Sequence, residues 1–426
     1  MTRILLIAEA CNPEWSSVPL VGYNMARALA ERPELQVTIA TSVRNREALL
    51  ADPLADAAEI EYLDTERIAG PAYRLGKLLR GGRGLGWTTA MAFNWPGYVS
   101  FEKKLAQRFG PALRGGQFDL LHRLTPLSPT LPSAIAGRFD VPFLLGPLNG
   151  GLPWPKEHPQ LRGREREWLV PLRGLARKLP YWRSTFRHAA GVITASRHTA
   201  TEIPSDFTGR HFRLPENGID PGRFPIARDW TPPPTASPWQ FVTVGRLVPY
   251  KGIDLAIEAL ALLRDESRLV VIGDGPMRGE LEALAEQRGV GERVDFRGWL
   301  PQQTVSHIVR DSQAFVFPSL REFGGGVALE AMASAVPSVI VDYGGPAELV
   351  RNDCGIRVPM AGRDELIETV AAAMRYLRDR PEEAAAMGRA AAERVTREHT
   401  WEAKAEKVVG FYGELLQRPL ALRRAG

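Results

Sequence analysis

Gln313-Ala314-Phe315-Val316-Phe317-Pro318-Ser319-Leu320-Arg321-Glu322-Phe323-Gly324-Gly325-Gly326-Val327-Ala328-Leu329-Glu330 decides the fold of this chain. Its first part is apolar and stops at a proline, the pattern of a buried parallel strand. Its last part, continuing to about residue 335, has the apolar spacing of a helix. Between them, Glu322 falls in a strand-to-helix loop, and Gly324, Gly325 and Gly326 expose backbone N–H groups at the helix start. Glu330 then projects from about the second helical turn. A helix N-terminus and glycine amides attract anionic oxygen. A carboxylate accepts hydrogen bonds from a vicinal diol. A phosphorylated, hydroxyl-rich ligand fits this pattern; a glycine-rich turn with two solvated acids fits the segment alone equally well.

Residues 240–254, Gln-Phe-Val-Thr-Val-Gly-Arg-Leu-Val-Pro-Tyr-Lys-Gly-Ile-Asp, repeat the scheme. A β-branched strand runs into a loop with Gly245 and Gly252, and a helix continues through Ile257, Leu260 and Leu263. Arg246 and Lys251 fall in that loop, at the carboxyl end of the strand, where open α/β sheets bind ligands. A guanidinium fork and a point-charge ammonium together suit a diphosphate.

Outward from these two segments the chain falls into two halves. Residues 3–8, 36–41, 118–122, 142–146 and 191–195 read as short apolar strands separated by helical stretches, which means a parallel α/β layer structure. Residues 23–32 form the first helix. Strands near 241–244, 269–272, 294–296, 314–317 and 337–341 repeat the pattern. The Pro-Glu-Asn-Gly-Ile-Asp-Pro-Gly run at 215–222 and the proline-rich 230–234 mark a linker. Residues 365–398, rich in Ala, Glu and Arg, are helical by propensity, and 401–416 read as a final helix.

Gly-Arg-Leu-x3-Lys-Gly at 245–252, Gly273-Asp274-Gly275-Pro276, Phe296-Arg297-Gly298-Trp299, and the Glu322-to-Glu330 spacing occur in that order. The chain thereby resembles the retaining glycosyltransferases of family 4, specifically across residues 238–350 and more loosely to the end. The resemblance implies the GT-B architecture: α/β, two Rossmann-like domains facing a deep cleft, with a C-terminal helix crossing back to the first. It divides the chain into an acceptor-side domain, residues 1–220 completed by about 402–426, and a nucleotide-sugar-binding domain, residues 221–401.

Carried over residue by residue, the resemblance implies that Arg246 and Lys251 hold the diphosphate and stabilise its departure. Glu322 with the amides of Phe323, Gly324 and Gly325 grips the donor sugar. Glu330 takes the ribose hydroxyls, while Gly245 and the backbone at Gly298, Trp299 and Leu300 complete the nucleotide site. His122, after Asp119-Leu120-Leu121, would contact the donor sugar. Candidate acceptor-side residues are Trp15, Ser16 and Ser17 in the loop after the first strand, and Asn149 and Gly150 in a loop expected to present backbone amides. Two departures stand out: relatives carry a glycine pair in the first loop and a His-Gly near the second, and neither occurs here. Retention of anomeric configuration and closure of the domains over the donor are further implications.

The remaining features exclude more than they specify. A length of 426 residues suits two domains, and 44% hydrophobic with 24% charged residues is a globular composition. Two cysteines, Cys11 and Cys354, support neither a disulfide framework nor a zinc site. With no G-x-G-x-x-G after the first strand, a dinucleotide oxidoreductase is disfavoured. With no D-x-D triplet, no metal or other cofactor is expected; the donor is a substrate. Nucleic acid is not an expected partner, because the net charge of +5 comes with no recognition motif. Cations do cluster between 161 and 187, among Trp168, Leu172, Leu175 and Trp182. That stretch is either an amphipathic helix packed on its own domain or a contact with an anionic inner-membrane surface. Residues 3–8 are too short for a signal peptide, so a cytoplasmic location, with peripheral membrane attachment as an option, is expected. The partners that the resemblance implies are a nucleotide-sugar donor and a glycan or lipid-linked acceptor in cell-surface polysaccharide synthesis. A phosphorylase or inverting transferase of the same fold, or a non-catalytic scaffold of a glycan assembly complex, remain the alternatives.

Overall fold

The computed structural model describes residues 1–67, 70, 87–161, 177–227 and 238–417, with backbone alone for 87–94. The chain forms two compact units. Unit 1 comprises Met1–Gly151, Arg166–Glu216 and Trp401–Gly426; unit 2 comprises Leu152–Glu165 and Asn217–Thr400.

Unit 1 is built on seven parallel strands: β1 (Thr2–Ala8), β2 (Leu35–Ser42), β3 (Glu59–Leu63), β4 (Leu120–Thr125), β5 (Phe143–Leu148), β6 (Gly191–Thr194) and β7 (Arg210–Arg213). They lie in the order β3-β2-β1-β4-β5-β6-β7, so the direction of winding reverses between β1 and β4. Successive side chains of a strand point to opposite faces, and β1 shows the consequence. Ile4 and Leu6 pack with Val21, Met25 and Leu29 of the helix Val18–Ala30 and with Val408, Val409 and Tyr412 of the helix Trp401–Leu415. Leu5 and Ile7 pack on the other face with Phe101 and Leu105 of the helix Trp87–Arg114.

Unit 2 has six parallel strands: β8 (Gln240–Val244), β9 (Arg268–Ile272), β10 (Val294–Gly298), β11 (Ala314–Phe317), β12 (Ser338–Val341) and β13 (Gly355–Val358). Their order is β10-β9-β8-β11-β12-β13, with the reversal between β8 and β11. Phe241, Val271, Val316 and Val339 meet the helices Ile253–Leu262 and Arg363–Asp379 on one face. Val242, Phe315, Phe317 and Ile340 meet Gly326–Ala333 and Pro381–Glu398 on the other.

Three strands escape the sequence reading, β3, β7 and β13, and each lies at an edge. Half-solvated edges carry charge at little cost: Glu59 and Glu61 in β3, Arg210 and Arg213 in β7, Arg357 in β13. The helical region 365–398 is two helices, because the residue before a proline is driven out of the helical conformation, and Arg380 (φ −131°) precedes Pro381. Residues 152–165, expected in the first domain, cluster with the second. The proline-rich 230–234 and most of the basic stretch 161–187 lie outside the described residues. Of that stretch, the helix Trp182–His188 buries Trp182 and exposes Arg183 and Arg187. Among the described residues no helix is long and apolar enough to cross a membrane.

One buried tie joins β4, β5 and the last helix. His122 is fully buried, and its Nε2–H donates to Gly146 O at 2.7 Å while Nδ1 accepts from the Tyr412 hydroxyl at 2.7 Å. Burial pushes the imidazole down to about 4, which keeps it neutral and fixes this tautomer's roles. Tyr412→Phe would leave Nδ1 buried without a donor, and should cost about 1–3 kcal/mol in urea denaturation of the whole chain.

Candidate active site

Three loops converge at the carboxyl ends of β8, β9 and β11, beside the switch point of the unit 2 sheet. Backbone approach explains the glycines in the sequence pattern. A Cβ on Gly273 would fall 2.0 Å from Gly245 O, so the loop after β9 can lie on the loop after β8 only with glycine there. Gly252 adopts φ 66° at the start of the helix Ile253–Leu262, and a Cβ on it would meet Pro318 O at 2.2 Å. That contact brings the β8 and β11 loops together, and Tyr250 O adds two bonds, accepting from Leu320 N at 2.8 Å and Ser319 Oγ at 3.3 Å.

These constraints deliver Lys251 and Glu322 to each other: the ammonium and the carboxylate form a direct ion pair, with both side chains largely buried. Lys251 Nζ also lies 5.0 Å from the Phe317 ring centroid and 5.8 Å from that of Tyr250, within cation–π range. Arg246 is exposed on the same loop and has no ion pair among the described residues. Glu322 O accepts from Gly345 N at 2.8 Å, which fixes the backbone beneath the carboxylate. Gly324 and Gly325 are buried, with Phe323 half-buried, and Gly325 precedes the helix Gly326–Ala333. The first N–H groups of that helix have no intrahelical acceptor.

Glu330 stands on the second turn of the same helix, half-buried, and accepts from Gln302 Nε2 at 3.2 Å. Desolvation raises its carboxyl from the ordinary 4.5 to about 7, a shift that the Gln302 bond only moderates. Past β10, Gly298 turns the chain at φ 66°, Trp299 is 77% exposed, and Leu300 is half-buried. The strand-end loops of unit 2 therefore carry the Lys251–Glu322 pair, the exposed Arg246 and the exposed Trp299, and Glu330 stands on the helix that follows the β11 loop.

Unit 1 holds the other expected residues in different circumstances. His122 has no exposed surface and no uncommitted nitrogen, so the expectation of a sugar contact gives way to a cross-tie inside the sheet. Asn149 and Gly150 do not present open amides either. Asn149 N donates to Leu127 O at 2.7 Å and Gly150 N to Thr199 Oγ1 at 3.2 Å, while the Asn149 side chain donates to Glu216. Trp15, Ser16 and Ser17 are exposed in the loop after β1. Ser17 takes φ 65°, ψ −133° before the helix Val18–Ala30, a conformation that favours glycine. The loop thus keeps a glycine-like path where the glycine pair of the family is missing.

The sequence reading overlooked Trp154, Tyr250, Gln302 and Arg321. Arg321, next to Glu322, is buried between two rings, with Cζ 4.2 Å from the Trp154 centroid and 5.0 Å from that of Phe323. An arginine beside the glutamate was a visible signal; its aromatic partner, some 170 positions earlier, was not.

Comparison with known proteins bears on the fold and the family. Two Rossmann-like units of this kind make the GT-B fold, shared with sucrose-phosphate synthase from Thermosynechococcus elongatus (TM-score 0.69, 21% identity, 98% of this chain and 100% of that one). Anabaena HepE, solved in complex with UDP, is similar at a TM-score of 0.64 and 16% identity over 97% of this chain and 100% of that one. Residues 231–394 match the family described as glycosyl transferases group 1. An uncharacterized glycosyltransferase of Methanocaldococcus jannaschii is 33% identical over 174 residues, 38% of this chain and 45% of that protein. The chain thus spans a little under half the length of that relative.

The Glu330 shift has a sign that can be checked. The folded carboxyl titrates near 7 against an ordinary 4.5, so the folded state holds a proton that the unfolded chain has released between those values. The group's contribution to stability is complete at low pH and is lost as the pH rises toward the folded value. Glu330→Gln should raise the thermal midpoint at pH 8 and leave it unchanged near pH 4.5, as followed by calorimetry.

Proposed function

We propose that the chain is a retaining glycosyltransferase that moves a sugar from a nucleoside diphosphate sugar to a glycan or lipid-linked acceptor, in the assembly of a cell-surface polysaccharide. The grouping of Arg246, Lys251, Glu322 and Glu330 around the β8–β11 switch point carries this reading. Its family match and its likeness to a fold neighbour solved with UDP support it further.

In this reading unit 2 holds the donor and unit 1 handles the acceptor. Ionised Glu330 accepts hydrogen bonds from the ribose hydroxyls, and the exposed Trp299 with the backbone of Gly298 and Leu300 meets the base. Arg246 and Lys251 face the diphosphate, which needs no bound metal once two cations offset its charge. The Gly245 turn holds the Arg246 loop in place. Glu322 and the amides of Phe323, Gly324 and Gly325 take the sugar hydroxyls, so Lys251 exchanges part of its ion pair for phosphate oxygen. During transfer the bond from the anomeric carbon to phosphate oxygen breaks, and one to the acceptor hydroxyl oxygen forms on the same face. The hydroxyl proton passes to the departing phosphate. Preorganised cations stabilise the charge on that phosphate by roughly 3–4 kcal/mol for each key donor.

Arg246→Ala should lower turnover by roughly 10²–10³-fold with little change in thermal midpoint, and parallel loss of stability would make it a structural residue. Lys251→Ala should lower turnover likewise and also lower the midpoint, because it leaves the largely buried Glu322 carboxylate without its cation. Calorimetric titration with UDP, GDP and ADP should find one preferred nucleotide, and its affinity should fall in Glu330→Ala. Since binding requires ionised Glu330, which titrates near 7 in the free protein, nucleotide affinity should rise between pH 6 and 8. Glu330→Gln should show only the pH dependence of the nucleotide's own phosphate. No binding by the wild type would sink the donor-site reading.

A further inference from the structure

The segment Leu152–Leu161 leaves unit 1 just after β5 and lies on unit 2, where it grips the strand-end loops one after another. Leu152 O accepts from Arg321 Nε at 3.2 Å, in the loop after β11. Pro153 O accepts from the Tyr343 hydroxyl at 3.0 Å, just after β12. His158 Nε2 donates to Ala361 O at 2.9 Å, after β13. Leu161 is buried in the same apolar cluster as Phe241 and Leu247.

Trp154 is the member of this strap that touches the sequence neighbours of both Lys251 and Glu322. Its indole face takes the Arg321 guanidinium at 4.2 Å, and Arg321 immediately precedes Glu322. Its edge meets the Tyr250 ring, with centroids 6.2 Å apart and planes at 78°, and Tyr250 immediately precedes Lys251. The Lys251 ammonium lies over the Tyr250 ring in turn, and Phe323 closes the far side of Arg321. Each residue of the Lys251–Glu322 pair is thus flanked in sequence by a side chain that rests on Trp154. Arginine stacked on an aromatic face holds a defined plane in a way that lysine cannot.

We propose that Trp154 is a positioning residue for the donor site, setting the place of Lys251 and Glu322 through Tyr250 and Arg321. This rests on the reading of unit 2 as the donor site, and it locates the dependence in the diphosphate end, since Glu330, Trp299 and the nucleoside end have no described contact with the strap. The β-phosphate increment, the ratio of Kd for the nucleoside monophosphate to Kd for the diphosphate, isolates that end.

The experiment is calorimetric titration of wild type, Trp154→Leu, Trp154→Phe and Arg321→Lys with UMP and UDP, or with the guanosine or adenosine pair if wild type prefers those. In Trp154→Leu and Arg321→Lys the increment should shrink about tenfold, with monophosphate affinity within twofold of wild type. Trp154→Phe, which keeps a ring, should recover most of the increment. An unchanged increment in Trp154→Leu and Arg321→Lys overturns the proposal. So does equal weakening of both nucleotides with a lowered thermal midpoint, which would make the strap a matter of stability alone. If Trp154→Leu does not fold, Arg321→Lys and Trp154→Phe decide by the same ratio. Wild type that binds no nucleotide removes the donor-site reading itself, a failure distinct from that of the variants.

Discussion

The ion pair between Lys251 and Glu322 is the constraint on which unit 2 turns. Its members come from loops on either side of a topological switch point, where neighbouring parallel strands send their chains in opposite directions and leave room between them. That the charges meet there at all depends on backbone contacts: Gly252 against Pro318 O, Gly345 N on Glu322 O, and two donors on Tyr250 O. A half-buried pair is favourable only when its geometry is held and its remaining polar capacity is satisfied. Aromatic rings at Phe317 and Tyr250 hold the ammonium side, and Arg321 with its two rings holds the loop of the carboxylate. The lysine and the carboxylate thus compensate each other, and neither charge is left bare.

Glu330 represents the opposite solution. Instead of a cation it has a single amide donor, Gln302, and desolvation leaves it close to half-ionised at neutral pH. Such a group costs stability as long as it lacks further donors.

Legibility in the sequence followed burial. Central strands such as β1, β8 and β11 must be apolar on both faces, and their runs stand out without any structure. Edge strands such as β3, with Glu59 and Glu61, and β7, Arg-His-Phe-Arg, carry the charges of surface chain and merge with loops. Within the site, Arg246, Lys251 and Glu322 sit in loops just after strands and Glu330 on the helix that follows one of them, so local pattern was enough to group them. His122 shows the limit. A histidine near the end of a strand looks the same whether its ring faces a ligand or the core, and only the bonds to Gly146 O and Tyr412 tell the two apart. Trp154 shows another, since nothing near it in the chain says that it will meet Arg321. The grouping of 152–165 with unit 2 is a long-range packing outcome, formed across intervening strands of unit 1.

The tie between His122 and Tyr412 has a consequence for the order in which the molecule can be completed. The two residues are 290 positions apart, and the whole of unit 2 lies between them. During synthesis, the sheet of unit 1 can assemble as far as β7 while one face of it, Ile4 and Leu6 with Met25 and Leu29, still lacks the helix Trp401–Leu415. Through that interval the imidazole has one partner instead of two, and an apolar groove stands open on the nascent chain. The helix Trp401–Leu415 therefore acts as a late clasp: the sheet of unit 1 begins before unit 2 and is covered on this face only after it.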